Sequence, residues 1–347
     1  MAEKEKKNLD ERKKKILQAI VEEYIETAEP VSSGSLLEKS DLDCSSATIR
    51  NEMAELEKCG FLDKPHTSAG RVPSQKGYRY YVDELLREDK LTLKEINYIK
   101  QKLETKVNAL EDLTKIATTT LSEITHYTTI AIGPNVNNHT IVDIKFVLLG
   151  SRVLMAILLT DSGVVRESII KFDEDINDDQ VENLNQIFAN KLIGKPLETL
   201  KDPIEDYIMA EMKAGINIIK KVIEEINKII EKSNQLYLEG AKKSFDLPEF
   251  KKIDLAKTFV NVLDSKELVT DIINTGIADD INIYIGEETE CEELKDFSIV
   301  TFNHLLNDKD IGTIGIIGPT RMNYSKVISV MKYISKKIND DYKKGKF

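Results

Sequence analysis

Hydrophobic positions near the amino end of the chain recur at three- and four-residue spacing, as they do on one face of a helix. The stretch Ile16–Tyr24 therefore predicts an amphipathic helix. Glu29-Pro30 ends it, because proline lacks a backbone donor and disfavours a helical residue before it. A second, shorter helix is predicted over Ser33–Lys39, followed by a turn at 41–43. Two helices separated by a proline open the chain.

A third helix is predicted to begin at Ser45 or Ser46, because either hydroxyl can accept from the free amides of the first turn, and to end at Gly60. Its apolar residues fall on one face, which is expected to pack inward. Its opposite face is polar and offers donors and acceptors to a partner. The inward face consists of Ile49, Met53 and Leu56, and the outward face consists of Thr48, Arg50, Asn51 and Glu55.

A short hairpin is predicted after this helix. Lys64–His66 forms its first strand, residues 67–70 form a tight turn, and Arg71–Pro73 returns, with the prolines placing the pair at an edge. A last small helix is predicted over Gly77–Leu86. This order of helices, turn and hairpin is typical of a winged helix-turn-helix. The order favours DNA binding, and the protein-binding use of the same unit stays open.

A long helix is predicted from Leu93 to about Ile124, because apolar residues fall seven apart along it. Two interpretations fit this repeat: a two-stranded coiled coil, or a helix packed against its own domain. Lys106 and Thr120 occupy positions in the apolar seam. Polar residues there weaken a coiled coil, so packing is the favoured interpretation.

The rest of the chain mixes strands and helices. Three strands joined by turns at 150–151 and 161–163 predict an antiparallel meander, followed by helices over 178–193 and from Pro203 to about Gln235. The chain then alternates up to a final helix over Tyr324–Ile338. The predicted strands are Tyr127–Ile132, Lys145–Leu149, Arg152–Thr160, Val164–Phe172, Leu236–Leu238, Ile281–Ile285, Ser298–Phe302 and Gly312–Ile317, with a further helix near 254–274. A chain of 347 residues with this pattern is expected to be an α+β protein of two or three domains.

The charge is acidic overall and basic in one place. The net charge of −11 excludes a generally sticky polycation. Lys64, Arg71, Lys76 and Arg79 nevertheless lie between positions 64 and 81, where no Asp or Glu occurs. Such a patch suits a nucleic-acid partner.

The location is expected to be the cytoplasm. The longest strongly apolar run, Val153–Leu159, is too short to cross a bilayer, and the charged first fifteen residues are unlike a secretory signal. The three cysteines form no CxxC pair, which fits a reducing compartment.

No motif for catalysis, for a metal or for a cofactor is found. The four histidines are scattered without metal-ligand spacing. Gly312, Gly315 and Gly318 lie three apart in a predicted strand, which indicates a strand kept slim for close packing rather than a dinucleotide fingerprint. The acidic run 287–293 lacks the glycine of a calcium loop, so a solvated acidic turn is predicted. Arg321, at the start of a helix, is expected either to bind an anion or to pair with a carboxylate.

Several longer strings closely resemble one family of bacterial regulators. They are Ser45–Glu57 (SSATIRNEMAELE), Pro65–Pro73 (PHTSAGRVP), Gly77–Arg79 (GYR), Tyr237–Gly240 (YLEG) and Gly315–Tyr324 (GIIGPTRMNY). Together they extend over nearly the whole chain and resemble the HrcA family of heat-inducible transcription repressors. No departure from the family's pattern is seen at these positions.

The resemblance implies a negative regulator of chaperone operons that binds an inverted-repeat operator as a homodimer. It also implies three parts: a winged helix-turn-helix domain at 1–88, a GAF-like α/β domain at 89–140 and 236–347, and an α+β dimerisation domain inserted at 141–235. The predicted meander and the two helices after it fit such an insertion, because they interrupt a pattern that resumes at Leu236. The family is further expected to need a GroEL-type chaperonin to hold its DNA-binding form, which rests on the resemblance alone.

Double-stranded DNA is the expected partner of the amino-terminal domain. The outward face of the third helix would meet base edges in the major groove, while the hairpin and the helix after it would hold phosphates. The candidates for the groove are Ser45, Ser46, Thr48, Arg50 and Asn51; His66 and Ser68 are expected to shape the wing, and Arg71, Lys76 and Arg79 to neutralise phosphates.

Two other classes of function stay open at this point. One is a small-molecule-sensing regulator that acts through its GAF-like domain. The other is an enzyme that uses His304 or the acidic run, which the lack of any nucleophile–base pairing opposes. The prediction is therefore a regulator and not an enzyme.

Overall fold

The protein is an α+β chain whose helices cover one five-stranded and one three-stranded sheet. The structure is a computed structural model that describes residues 9–39, 44–66, 70–103, 110–133, 139–161, 165–197, 216–231, 236–274, 281–306 and 309–343. The turn predicted at 41–43 and most of the turn predicted at 67–70 lie outside these residues.

The amino-terminal unit, residues 9–88, contains the predicted helices. Asp10 caps the first helix by accepting from the amide of Lys13. The second helix has the predicted bounds, and the third begins after its predicted cap, Ser45. The elements are α1 (Glu11–Thr27), α2 (Ser33–Lys39), α3 (Ser46–Lys58), β1 (Leu62–Asp63), β2 (Val72–Pro73) and α4 (Gln75–Tyr80), which continues as a π-helical turn over Tyr81–Leu85.

The first strand of the predicted hairpin lies two residues earlier than expected. Leu62 pairs with Pro73 and Asp63 with Val72, whereas the predicted strand Lys64–His66 is not a strand. The physical reason is the ladder itself: Pro65 has no backbone donor to give to a partner strand. The two-stranded ladder therefore forms directly after α3 and contacts it.

The long helix predicted over Leu93–Ile124 is two helices, α5 (Leu93–Leu103) and α6 (Leu110–Thr125). The hydroxyl of Tyr98 donates to Glu123, and the amine of Lys102 lies 3.3 Å from the same carboxylate. One straight helix would separate residues 98 and 123 by about 37 Å, so the two helices pack side by side. Apolar residues of the repeat such as Leu103, Ala117 and Leu121 are buried within the chain, which supports packing over a coiled coil.

An antiparallel sheet of five strands follows, in the order β7-β3-β10-β9-β8. Gly318 lies in β10 where an added Cβ would come within 2.9 Å of the Tyr127 ring, so the predicted close packing of this glycine-rich strand is confirmed. The strands are β3 (Thr128–Ile132), β7 (Leu236–Glu239), β8 (Ile281–Ile285), β9 (Phe297–Leu306) and β10 (Lys309–Pro319).

The predicted meander forms a separate sheet in the order β4-β5-β6. Two helices cover one of its faces and share with it a hydrophobic core distinct from the rest of the chain. The elements are β4 (Ile141–Gly150), β5 (Val153–Thr160), β6 (Val165–Lys171), α7 (Asp178–Leu192) and α8 (Ile216–Glu231). Pro203 and Gly215, which the sequence placed in the second helix, lie outside the described residues.

The helix predicted near 254–274 is two helices separated by Ser265. The carboxyl-terminal helix begins at Tyr324 as predicted and extends five residues further, to Lys343. The remaining helices are α9 (Ala241–Ser244), α10 (Ile253–Asp264), α11 (Lys266–Asn274) and α12 (Tyr324–Lys343).

One hydrophobic core joins the amino-terminal unit to the five-stranded sheet. It includes residues of α1 and α3 together with residues of α6, β10 and α12. Tyr78 and Tyr324 are both buried, and their ring centroids lie 6.0 Å apart. The amino-terminal unit therefore packs directly on the body of the chain.

Gly77 offers a test of the close packing within the amino-terminal unit, where α4 approaches the residue that precedes β1. An added Cβ would lie 2.1 Å from the backbone oxygen of Phe61, so we expect Gly77→Ala to lower the free energy of unfolding by about 1–3 kcal/mol. Denaturant unfolding of the full chain measures the change. In the control Gly34→Ala, the new Cβ lies 3.7 Å from its nearest neighbour, so stability is expected to stay the same or rise slightly. Equal stability of the two variants would contradict the close approach.

Candidate nucleic-acid interface

The outward face of α3 begins at its cap. The hydroxyl of Ser45 accepts from the amide of Thr48 at 3.2 Å and lies 3.0 Å from the Thr48 hydroxyl. The hydroxyl of Ser46 donates to Ser33 of α2 at 3.3 Å, which joins the two helices. Ile49, on the opposite face, is fully buried. The cap and the buried face together hold α3 in one orientation.

Arg50 and Asn51 are the exposed polar residues at the centre of this face. Within the described part of the chain, no hydrogen bond or ion pair occupies the guanidinium of Arg50. A guanidinium can bind two acceptors of a guanine at once, and an amide can do so for an adenine. The face therefore presents side chains of the kind that distinguish base pairs.

The acidic residues of α3 are paired with cations of the same unit. The amine of Lys13 lies 3.2 Å from Glu52 and 3.0 Å from Glu55. Hydrogen bonds, first to Asp10 and then to these two carboxylates, raise the pKa of Lys13. Glu57 accepts from Arg71 at 2.8 Å. Because Lys13 is shared by three carboxylates, this pairing offsets part of the negative charge beside the exposed face.

Two of the predicted phosphate ligands, Arg71 and Lys76, lie close to α3. The side chain of Arg71 is 18% exposed and is held by Glu57. Lys76 is exposed, and its amine donates to the backbone oxygen of Cys59 at 2.8 Å, 4.5 Å from the centre of the Phe61 ring. Lys76 is exposed, whereas Arg71 is largely buried and paired with Glu57. Lys76 is therefore the cation that is more available to a phosphate.

Arg79 lies away from this group. Its guanidinium donates to Glu288 at 2.8 Å, to the backbone oxygen of Ile283 at 2.6 Å, and to Asp83 at 3.1 Å. Burial works against its charge, but the bonds to the two carboxylates outweigh this and raise the pKa of Arg79. Glu288 belongs to the acidic run, whose glutamates are exposed as predicted, and it also provides a partner for Arg79.

One of the two residues predicted to shape the wing, His66, belongs to the part of the chain that the structure describes. His66 is exposed, and Ser68 lies outside the described residues. The structure therefore brings Ser45, Thr48, Arg50 and Asn51 together on one helix, with Lys76 beside it.

Sequence reasoning left Arg321 with two possible roles, and the structure shows that it pairs with a carboxylate. Its guanidinium donates to Glu249 at 2.5 Å and also to the backbone oxygen of Ile25 in α1. Burial opposes its charge, but the bond to Glu249 outweighs this and raises the pKa of Arg321. Neither Glu249 nor Ile25 is near Arg321 in the sequence, so no local signal pointed to this contact.

Other features of the described residues add no second site. No helix among them is long and apolar enough to cross a membrane. No group of three or more His, Cys, Asp and Glu side chains among them is arranged to hold a metal ion.

Comparisons with known proteins agree over nearly the whole chain. The model of the HrcA protein C terminal domain matches residues 111–328. A heat-inducible transcription repressor HrcA of Ruminiclostridium cellulolyticum is 41% identical, and the match covers 96% of this chain and 97% of that one. Another, from Acetivibrio thermocellus, is 39% identical and covers 96% of each chain.

One crystal structure, described only as a hypothetical protein, is similar with a TM-score of 0.68 and 23% identity. It covers 96% of this chain and 98% of its own, and this likeness shows the fold alone. The curated relatives define the class as heat-inducible transcription repressors. Within that class, the chain belongs to the HrcA family.

The cap of α3 allows stability and DNA contact to be separated. Ser45→Ala removes the hydrogen bond to the Thr48 amide and is expected to cost about 1 kcal/mol of stability. Ser45→Asp keeps the cap and suits the helix amino end, but it places a negative charge on a residue that is expected to face the DNA. Denaturant unfolding and gel-shift titration of both variants measure the two effects. Duplex binding by Ser45→Asp at the unsubstituted level would place Ser45 away from DNA.

Proposed function

We propose that this chain represses transcription of heat-shock chaperone operons by binding an inverted-repeat operator as a homodimer. The observation that carries the proposal is the outward face of α3, where Arg50 and Asn51 are exposed and the acids of the same helix are paired. A capped helix of this kind, followed by a small hairpin, suits the recognition helix of a winged helix-turn-helix. The names of the relatives support the same function.

The proposed domains are a winged helix-turn-helix at 1–88, a GAF-like domain at 89–140 and 236–347, and a dimerisation domain inserted at 141–235. The separate core of β4–β6 with α7 and α8 supports the insertion. So does the pairing of β3 with β7, because these strands lie on either side of the insert in the sequence yet are neighbours in one sheet.

Base reading and phosphate contact predict different results for two cations of the amino-terminal unit. If Arg50 reads a guanine, Arg50→Ala is expected to cost about 1–3 kcal/mol on operator DNA and to relax sequence preference. Lys76→Ala is expected to weaken binding evenly across sequences and to flatten its salt dependence. Gel-shift titrations on operator and random duplexes at two salt concentrations separate the outcomes. Equal losses on both duplexes for Arg50→Ala would refute its role.

The outer face of the sheet β4–β6 supports the proposed homodimer. The helices α7 and α8 cover only the inner face, while large apolar side chains on the outer face are exposed. Val147, Met155 and Ile169 form one row across the three strands. Val165 and Ile169 are each 56% exposed. A row of exposed apolar side chains across a sheet is typical of an interaction surface.

Charges on this face suit a second copy of the same chain. Lys145, Ile157 and Glu167 lie opposite one another on β4, β5 and β6, so a cation and an acid flank an apolar centre. A two-fold axis parallel to the strands would set the β4 edge of one copy over the β6 edge of the other. The contact between Lys145 of one copy and Glu167 of the other would then form twice, once on each side of the axis, as an isologous interface requires.

The dimer proposal predicts opposite results for two similar substitutions. Ile169→Glu introduces a charge into the outer face and is expected to yield monomers by sedimentation or light scattering. Val260→Glu changes an exposed apolar residue of α10 and is expected to leave the dimer unchanged. Lys145→Glu is expected to weaken the dimer, and adding Glu167→Lys to restore it. A dimeric Ile169→Glu would move the interface elsewhere.

Dependence on a GroEL-type chaperonin is part of the proposal and is supported by the family resemblance only. Its test is a gel shift of the purified chain with and without chaperonin. Chaperonin is expected to raise the fraction of chain that binds operator, and unfolded protein added as competitor is expected to lower it.

The small-molecule alternative gains little support. A cavity of about 30 Å³ lies between α6, α12 and the sheet, lined mainly by apolar residues such as Leu113, Ile314 and Met331. A metabolite site would need several convergent polar groups to orient its ligand, which this cavity lacks. A cleft of about 480 Å³ beside α5 and α6 has polar groups in Lys94, Glu123 and His126, but it is wide open to solvent.

A further inference from the structure

The amino-terminal unit contacts the body of the chain at a junction formed by α1 and α4 on one side and by β8, the turn 286–289 and the start of α12 on the other. Arg79 is the central residue of this junction on the α4 side. It donates to Glu288 and to the backbone oxygen of Ile283, in β8 at the edge of the sheet. The amide of Ile285 also donates to Glu288 at 2.9 Å, which fixes the carboxylate in place.

A second contact lies at the α1 side of the junction. Arg321 belongs to the body, where Glu249 holds it, and it donates to the backbone oxygen of Ile25 near the end of α1. The side chains of Arg79 and Arg321 are 29% and 11% exposed. Removing one partner of a half-buried pair leaves the other charge poorly solvated, so such pairs resist separation.

Two further contacts join the amino-terminal unit to the body. The rings of Tyr78 and Tyr324 pack together in the shared core. The side chain of Gln75 donates to the backbone oxygen of Lys295 at 2.9 Å and accepts from the amide of Glu287 at 3.0 Å. The apolar contact is not directional and by itself would allow the unit to rotate, so its orientation depends on each of the polar contacts around that core.

The surroundings of Arg79 do not suit a phosphate. Its single positive charge is shared by two carboxylates, Glu288 and Asp83, so the local sum is negative. A phosphate at this place would be repelled unless it displaced both acids. The bonding pattern of Arg79 is instead that of a bidentate structural pair.

We propose that Arg79 and Arg321 are positioning residues that fix the recognition helix relative to the body, and thereby set the half-site spacing that the dimer accepts. The inference rests on the proposed function, because it needs a dimer that binds two half-sites. Each added base pair moves one half-site by about 3.4 Å and rotates it by about 35°. A unit held rigidly at the junction cannot follow this change, and a loosened unit can.

The test uses the full-length dimer and operators whose half-sites are moved by one or two base pairs. For the unsubstituted chain we expect affinity to fall at least about tenfold at a shift of two base pairs. Glu288→Gln is expected to reduce that difference to less than about threefold, and Arg79→Lys to do the same, because lysine keeps the charge but loses the bidentate contact. Glu287→Gln removes the same charge from a neighbouring exposed residue and is expected to keep the spacing profile.

The salt dependence of binding provides the second readout. If Arg79 held a phosphate, Arg79→Gln would reduce the slope of log affinity against log salt by about 0.9. If Arg79 only holds the junction, the same substitution is expected to leave this slope unchanged. Hydrogen exchange at 75–86 and 281–289 without DNA is expected to speed up in Glu288→Gln and not in Glu287→Gln.

The outcomes separate this inference from the proposed function. Identical spacing profiles for Glu288→Gln and Glu287→Gln, or a reduced salt slope for Arg79→Gln, would overturn the inference while operator binding stands. Failure of the unsubstituted chain to bind any palindromic duplex would remove the proposed function and this inference with it, whatever the exchange rates show.

Discussion

The junction between the amino-terminal unit and the body, with the ion pair of Arg79 and Glu288 at its rim, is the constraint on which the arrangement of the molecule depends. The hydrophobic core continues from α1 through Tyr78 into the body of the chain, so charged groups at its rim are partly removed from water. A guanidinium in that position is stable only with acceptors in good geometry. Glu288 and the edge carbonyl of Ile283 provide them. Apolar burial joins the two parts, and the ion pair gives the joint a single geometry, because hydrophobic contact alone is not directional.

An acidic chain can approach DNA when its acids are neutralised close to the contact face. On α3, Glu52 and Glu55 are paired with Lys13, and Glu57 is paired with Arg71. These two cations offset part of the acidic charge of the same unit, and the exposed guanidinium of Arg50 lies on the face that is expected to meet the groove. The net charge of −11 is therefore a poor guide to the field that a duplex would meet there.

Features with a local signal in the sequence were predicted well. The bounds of α2 and the cap of α3 followed from hydroxyl residues and apolar spacing, which act within one helical turn. The helix predicted over Leu93–Ile124 was wrong because an apolar heptad repeat carries no information about a reversal of the chain. The predicted strand Lys64–His66 failed because Pro65 cannot donate to a ladder.

The role of an arginine is the part of the site that local sequence does not determine. Arg71 and Arg79 lie in the same basic stretch, but one pairs within its own unit and the other with an acid 209 residues away. Counting charges along the stretch treats both as surface cations, because the partner of Arg79 arrives only when β8 and the turn after it pack against α4. A basic patch in a sequence is thus an upper limit on the charge available to phosphates. The acids that the fold brings to it decide how much of that charge remains.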